Sequence, residues 1–177
     1  MSVLLTVSLS AGLPLSAASY VDVVKMRTEN RVNPLGIGTS TPRFSWQITS
    51  DKKGVVQTSY QILVASSREK LDRNEADLWD SGERKSDEQL WIPYQGKALL
   101  SGAQAYWKVR ITTNKGKSEW TEPQLFTIGL LGETKWSGTW IGLEDLQPGE
   151  QKGMHTRLAA RYIRKDFATK GKVKRAV

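Results

Sequence analysis

Between Ser19 and Gly132 apolar residues recur at every second position in short runs, separated by clusters of Gly, Pro, Asn and Asp. A two-residue period sends alternate side chains to opposite faces of an extended chain, so each run predicts a strand with one apolar face. Seven strands are predicted, over 21–27, 43–48, 58–65, 78–82, 89–94, 105–113 and 123–131. Phe44, Trp46 and Ile48 share one face of the second, and Tyr60, Ile62 and Val64 one face of the third. Leu90 and Ile92 are in phase in the fifth, Trp107, Val109 and Ile111 in the sixth, and Leu125 is placed inward in the last. Asn33-Pro-Leu-Gly36, Asp51-Lys-Lys-Gly54 and Asn114-Lys-Gly116 read as turns. The polar, charged stretch from Ser67 to Asp77 reads as a loop with one helical turn. The short gaps leave no room for the helical crossovers that parallel strands need. The predicted fold is all-β: an antiparallel fibronectin type III/immunoglobulin-like β-sandwich of about 100 residues.

Outside this block the pattern changes. Residues 1–18 run from an apolar stretch, Val3 to Leu9, to the small-residue sequence Ser16-Ala-Ala18, with the first positive charge only at Lys25. Small side chains before the cleavage point suit a signal peptidase, so 1–18 is read as a signal peptide and the mature chain as starting near Ser19. The apolar run is far short of the ~20 residues of a membrane span. Residues 133–153, rich in Gly, Gln and Glu, read as a linker. Residues 154–177 read as the first strands of an incomplete second β domain, with Ala160–Phe167 and Lys172–Val177 as the runs.

Charge sharpens this division. The chain of 177 residues has a net charge of +8, and all of it lies from Lys152 onward, where nine basic residues accompany only Asp166. Residues 1–151 taken together are electrically balanced, which argues against a nucleic-acid groove built on whole-chain charge. Cysteine is absent and histidine occurs once, at His155. A disulfide framework, a thiol nucleophile and a multi-histidine metal centre are thereby excluded, and no cofactor is expected.

Two residue types could carry function. Seven tryptophans occur. Trp46 and Trp107 are in phase with aliphatic neighbours and are expected in the core, while Trp79, Trp91 and Trp120 lie near strand ends and are the candidates for carbohydrate contact. Carboxylates are the second type, because glycoside hydrolysis uses a pair. Asp72, Glu75, Asp77, Asp80, Glu83, Asp87 and Glu88 all fall in polar loops rich in Lys and Arg, with no apolar neighbour to raise a pKa. They are expected to be solvated charges, and His155 has no triad partner in its neighbourhood. Gly36-Ile-Gly38 opens no helix and is read as a turn rather than a phosphate loop.

Several strings taken together are more specific. Met26-Arg-Thr-Glu-Asn-Arg-Val-Asn-Pro-Leu-Gly-Ile37, Pro42-Arg-Phe-Ser-Trp-Gln47, Gln57-Thr-Ser-Tyr-Gln-Ile-Leu-Val-Ala-Ser66, Leu78-Trp-Asp-Ser-Gly82, Tyr106-Trp-Lys-Val-Arg110 and the segment 136–142 resemble, in order, the N-terminal region of bacterial α-L-rhamnosidases of glycoside hydrolase family 78. Ala160-Arg-Tyr-Ile-Arg-Lys-Asp-Phe167 resembles the opening of the next sandwich in those enzymes. The resemblance implies a fibronectin type III-like first domain of a long, exported, multi-domain enzyme. Such enzymes release terminal L-rhamnose with inversion, using two carboxylic acids in an (α/α)6 barrel that the resemblance does not reach. No catalytic residue is therefore carried over to this sequence. Fibronectin-type domains often place a Tyr in phase with the core where this chain has Trp107, with Tyr106 out of phase.

The expected function is that of a non-catalytic N-terminal accessory module of an exported, periplasmic or extracellular α-L-rhamnosidase. Its expected partners are the remaining domains of that enzyme and rhamnose-containing glycans, with no nucleic acid and no membrane span. The alternative is a stand-alone carbohydrate-binding or surface adhesion sandwich. Clustering of Trp79, Trp91 and Trp120 on one exposed patch would favour the alternative; their burial would favour the accessory module.

Overall fold

The computed structural model describes residues 21–132, 139, 149 and 162–173. The chain divides into two compact units, Met1–Leu131 and Gly132–Val177. The first contains β1 (Val21–Thr28), β2 (Arg43–Ser50), β3 (Gln57–Ala65), α1 (Arg68–Asp72), β4 (Trp79–Asp80), β5 (Ile92–Pro93), β6 (Gln104–Thr113), β7 (Gly116–Lys117) and β8 (Gln124–Thr127). One sheet has the order β1-β2-β5; the other has β4-β3-β6-β7, with β8 also paired to β6. Every ladder between these strands is antiparallel. This is the predicted sandwich, and each of the seven predicted runs contains a strand.

The alternation does what it predicts where strands are long. Phe44 and Trp46 from β2 meet Tyr60, Ile62 and Val64 from β3 and Trp107, Val109 and Ile111 from β6 in one core cluster. The rings of Phe44 and Trp107 lie 4.4 Å apart between centroids. Trp46 packs edge-on against Tyr60 at 5.3 Å. The buried indole N–H of Trp46 is satisfied, donating to Gln57 Oε1 at 3.1 Å. Gln57 in turn donates to the Ser86 and Glu88 carbonyls, which anchors the 86–88 segment across the end of the core.

Two departures from the alternation have identifiable causes. Leu90, placed in phase with Ile92, is 65% exposed while Ile92 is 4% exposed. Trp91 between them has a left-handed backbone (φ 59°), a conformation that breaks the two-residue phase, and its N–H donates to Ser45 Oγ at 3.0 Å. In β8 the inward residue is Phe126, fully buried, and Leu125 is only partly so. Its register is set by pairing with β6, where Phe126 faces Ala105 and Leu125 faces Tyr106. The Ser67–Asp77 stretch holds the short helix α1, capped by the Ser67 hydroxyl accepting from Lys70 N–H.

Buried Lys108 explains why that helix stays in place. Its ammonium donates to the Leu71 carbonyl and, at 2.7 Å, to Asn74 Oδ1, and it lies 5.1 Å from the Trp120 ring. The strand pattern places Lys108 on a solvent face, yet it is 5% exposed because α1 covers it. Burial pulls its pKa below the ordinary lysine range. Tyr106 lies on this outer face too, partly buried, with its hydroxyl bonded to the Gln104 amide.

In the second unit, residues 162–173 form no strand and are exposed throughout, including Tyr162 at 99% and Phe167 at 84%. The strand expected over Ala160–Phe167 is thus not formed across Tyr162–Phe167: a strand needs a neighbouring edge, and among the described residues no ladder reaches them. The segment 1–18 read as a signal peptide, the segment 133–153 read as a linker apart from Thr139 and Gly149, and His155, Trp136 and Trp140 lie outside the described residues. Amide exchange is expected to be fast from Tyr162 to Val173 and strongly protected from Trp107 to Ile111. Comparable protection in both, in a monomer measured by mass spectrometry, would place the tail segment in a ladder.

Candidate functional site

The three candidate tryptophans occupy three different places. Trp79 is 9% exposed and sits in the core, stacked on Phe44 at 6.3 Å and edge-on to Tyr94 at 5.4 Å. It has no free face for a sugar, which corrects its placement among the carbohydrate contacts. The cause is β4: Trp79 pairs with Val64, so it takes that residue's inward side. Trp120 is half-buried against the Leu63, Ala65 and Leu71 cluster on the outer face of the larger sheet. Arg110 lies over its ring at 4.5 Å, with Lys108 beside it. Trp91, 42% exposed, follows the smaller sheet, and the Arg43 guanidinium lies over its ring at 4.1 Å. Trp91 and Trp120 therefore lie beside strands of different sheets, and a cation rests over each ring. The three do not form a patch.

Four of the carboxyls, Glu29, Glu75, Asp77 and Glu83, are pulled below the ordinary carboxylate range. Burial pushes the Asp77 carboxyl up, but hydrogen bonds from the Lys70 ammonium at 2.6 Å and from the Ser66 N–H and hydroxyl outweigh it and hold the pKa at about 2. The Ser59 hydroxyl, donating at 2.6 Å, lowers Glu83. The Arg73 guanidinium lowers Glu75, and the Arg43 guanidinium lowers Glu29. A glycosidase acid must do the opposite and keep its proton near neutral pH. No group of three or more His, Cys, Asp or Glu side chains that could hold a metal occurs among the described residues.

The Asp77 shift has a measurable consequence. A carboxyl whose folded pKa is depressed contributes stability above its unfolded value, and that contribution disappears as pH falls toward 2. With both partners of the pair about one-third exposed, solvent screening reduces it to about 1 kcal/mol. Asp77→Asn should lower the urea midpoint at pH 6 and lower it much less at pH 2. An equal loss at both pH values would show that the ion pair is not the source.

A concave feature of the sandwich lies at the end where β1 finishes and β2 begins, a region that strand reasoning treats as a turn. An open cleft of about 720 Å³ is lined by residues of the 29–43 connection, among them Glu29, Arg31, Leu35, Thr39 and Arg43. Glu29 and Arg43 form a two-pronged pair, with contacts of 3.1 and 2.7 Å, across the cleft's inner side. Glu29, Asn30, Asn33 and Gly36 all have left-handed backbones. Three of these four are not glycine, which is uncommon and requires the surroundings to hold them there. The neighbours do so: Asn33 Oδ1 accepts from Leu125 N–H, and the Gly36 N–H donates to Thr127 Oγ1. The Asn and Gly spacing in 30–36 was the signal in the sequence that this connection is built rather than slack.

Comparison with known proteins agrees with this picture. The model of the Rha78A-like, N-terminal immunoglobulin domain matches residues 23–132. An α-L-rhamnosidase of Formosa agariphila is 39% identical over 125 residues, covering 70% of this chain and 13% of the relative. An α-L-rhamnosidase of an Alteromonas species is 35% identical over 147 residues, covering 82% of this chain and 16% of the relative. The crystal structure of the Streptomyces avermitilis α-L-rhamnosidase complexed with L-rhamnose superposes with a TM-score of 0.65 at 36% identity, covering 69% of this chain and 12% of that one. The chain thus spans only about one-sixth or less of the length of these relatives. With the match running from β1 to the end of the sandwich, the chain belongs to the family of Rha78A-like N-terminal immunoglobulin domains.

Proposed function

We propose that the chain is the N-terminal accessory module of an exported α-L-rhamnosidase and performs no chemistry itself. The observation that carries this reading is the extent of the match: the sandwich corresponds to a small initial part of enzymes named α-L-rhamnosidase. The state of the carboxylates supports it, since among the described residues those with shifted pKa values are shifted downward, away from the range of a glycosidase acid. The module's work is structural, packing against the remaining domains of the enzyme. Export rests on residues 1–18, and the mature protein is expected to lack them by N-terminal mass analysis.

The test is an assay of the purified full chain on an aryl α-L-rhamnoside. No release above the buffer rate is expected; release that scales with protein concentration would refute the reading. The glycan-binding alternative rests on Trp91, the exposed member of the three. Affinity electrophoresis in a rhamnose-rich polysaccharide distinguishes it: retardation abolished by Trp91→Ala would favour a carbohydrate-binding module.

A further inference from the structure

The strand directions collect several connections at one end of the sandwich. β1 and β3 finish there, β2 and β6 begin there, and the chain leaves the first unit there after β8. Three backbone segments run side by side at this end. Thr127 N–H donates to the Pro34 carbonyl, and the Ile37 N–H donates to the Thr127 carbonyl; on the other side the Gly102 N–H donates to the Ile128 and Gly129 carbonyls. Gly129 lies so close to Gly36 that an added Cβ would meet the Gly36 carbonyl oxygen at 3.1 Å. Leu35, Leu130 and Leu100 flank these contacts on adjacent segments, at 72%, 61% and 73% exposure, with Val32 nearby in the same connection at 59%.

An apolar row of this kind is costly to leave in water and marks an interaction surface. Its setting is polar: the row adjoins the 29–43 cleft, where Glu29 is occupied by Arg43 and Arg31 has no ion-pair partner among the described residues. We propose that this end of the sandwich is the docking face for another domain of the parent α-L-rhamnosidase, with aliphatic side chains meeting Leu35, Leu100 and Leu130 and a carboxylate meeting Arg31. The proposal rests on the accessory-module reading. Two observations select this occupant. Leu130 lies beside the point where the polypeptide leaves the sandwich, so a following domain is tethered at the row and held there at high effective concentration. The relatives carry most of their length outside the matched region, so the polypeptide to cover it exists in them.

The test replaces the matching segment of the Streptomyces avermitilis enzyme with residues 21–132, so that the module is read within a whole enzyme. The junction after Gly132 is expected to resist limited proteolysis, and Leu35→Glu together with Leu130→Glu is expected to speed cleavage there at least tenfold. The same pair in the 177-residue chain should leave its circular dichroism unchanged, which separates undocking from unfolding. Val56→Glu and Leu90→Glu, exposed elsewhere, should leave the junction as resistant as before. Equal cleavage with and without the Leu35 and Leu130 substitutions overturns the docking face while the accessory-module reading stands. A graft that is cleaved freely at the junction without any substitution, or that does not accumulate as active enzyme, counts against both. Sedimentation of the 177-residue chain as a dimer that the same pair dissociates overturns the proposal in favour of a second copy.

Discussion

Replacing Trp46 with alanine is expected to destabilise the sandwich by about 4 kcal/mol, a large part of the roughly 5–15 kcal/mol that holds a domain of this size together. Trp46 is 1% exposed and is among the largest fully buried side chains. Its removal leaves a cavity between the two sheets, against the Tyr60 ring. It also strips Gln57 Oε1 of its donor, and Gln57 is itself 2% exposed, so a buried polar atom is left unpaired. The two losses reinforce each other. Chemical denaturation with an unchanged slope and a strongly lowered midpoint is the expected result, and Trp46→Phe should recover most of the cavity term without the hydrogen bond. A Trp46→Ala protein melting within a few degrees of the original would mean that the register of β2 is wrong.

Gly96→Ala is expected to cost about 3 kcal/mol, for a different reason. A methyl at Gly96 would overlap the Leu78 carbonyl oxygen and the Trp79 Cβ, and would come within 2.6 Å of the Tyr94 hydroxyl oxygen. The first two atoms belong to backbone or to the base of a core side chain and cannot swing aside. Tyr94 cannot easily give way either. Its hydroxyl donates to the Lys97 carbonyl at 2.7 Å, and burial pushes its pKa up to about 12, so it remains a donor. The substitution therefore prises the 94–97 segment off Trp79 and opens the core beside Phe44. Gly38→Ala is the control: nothing lies within 4 Å of its added methyl and its backbone is not left-handed, so stability should be unchanged or slightly raised. Equal behaviour of the two variants in a thermal melt would show that the close approach at Gly96 relaxes freely.

These two residues mark how far the sequence can be read. Trp46 was legible because β2 is eight residues long and alternates without interruption. In such a strand the two-residue period assigns every side chain to a face, and the presence of aromatic and aliphatic residues on one face says which is inside. The same reasoning placed Trp107, Val109 and Ile111 correctly along the ten residues of β6. The lowered carboxyls of Glu75 and Asp77 were legible too, because their polar loop places Arg73 and Lys70 within reach.

The errors fall where strands are short or the chain is irregular. β4 and β5 have two residues each, too few to carry a period, so the sides taken by Trp79 and Leu90 were decided by Val64 across the ladder and by the left-handed Trp91. Lys108 obeys the alternation of β6 and is still buried, because α1 lies over the outer face of the larger sheet, a contact between segments more than thirty residues apart. The same limit applies to the candidate sites. The scattering of Trp79, Trp91 and Trp120 and the gathering of Leu35, Leu100 and Leu130 at one end both depend on which segments the sheets bring side by side. Local pattern determines a side chain's face within one regular strand. Which segment covers that face is set by long-range pairing, and only the tertiary structure decided it.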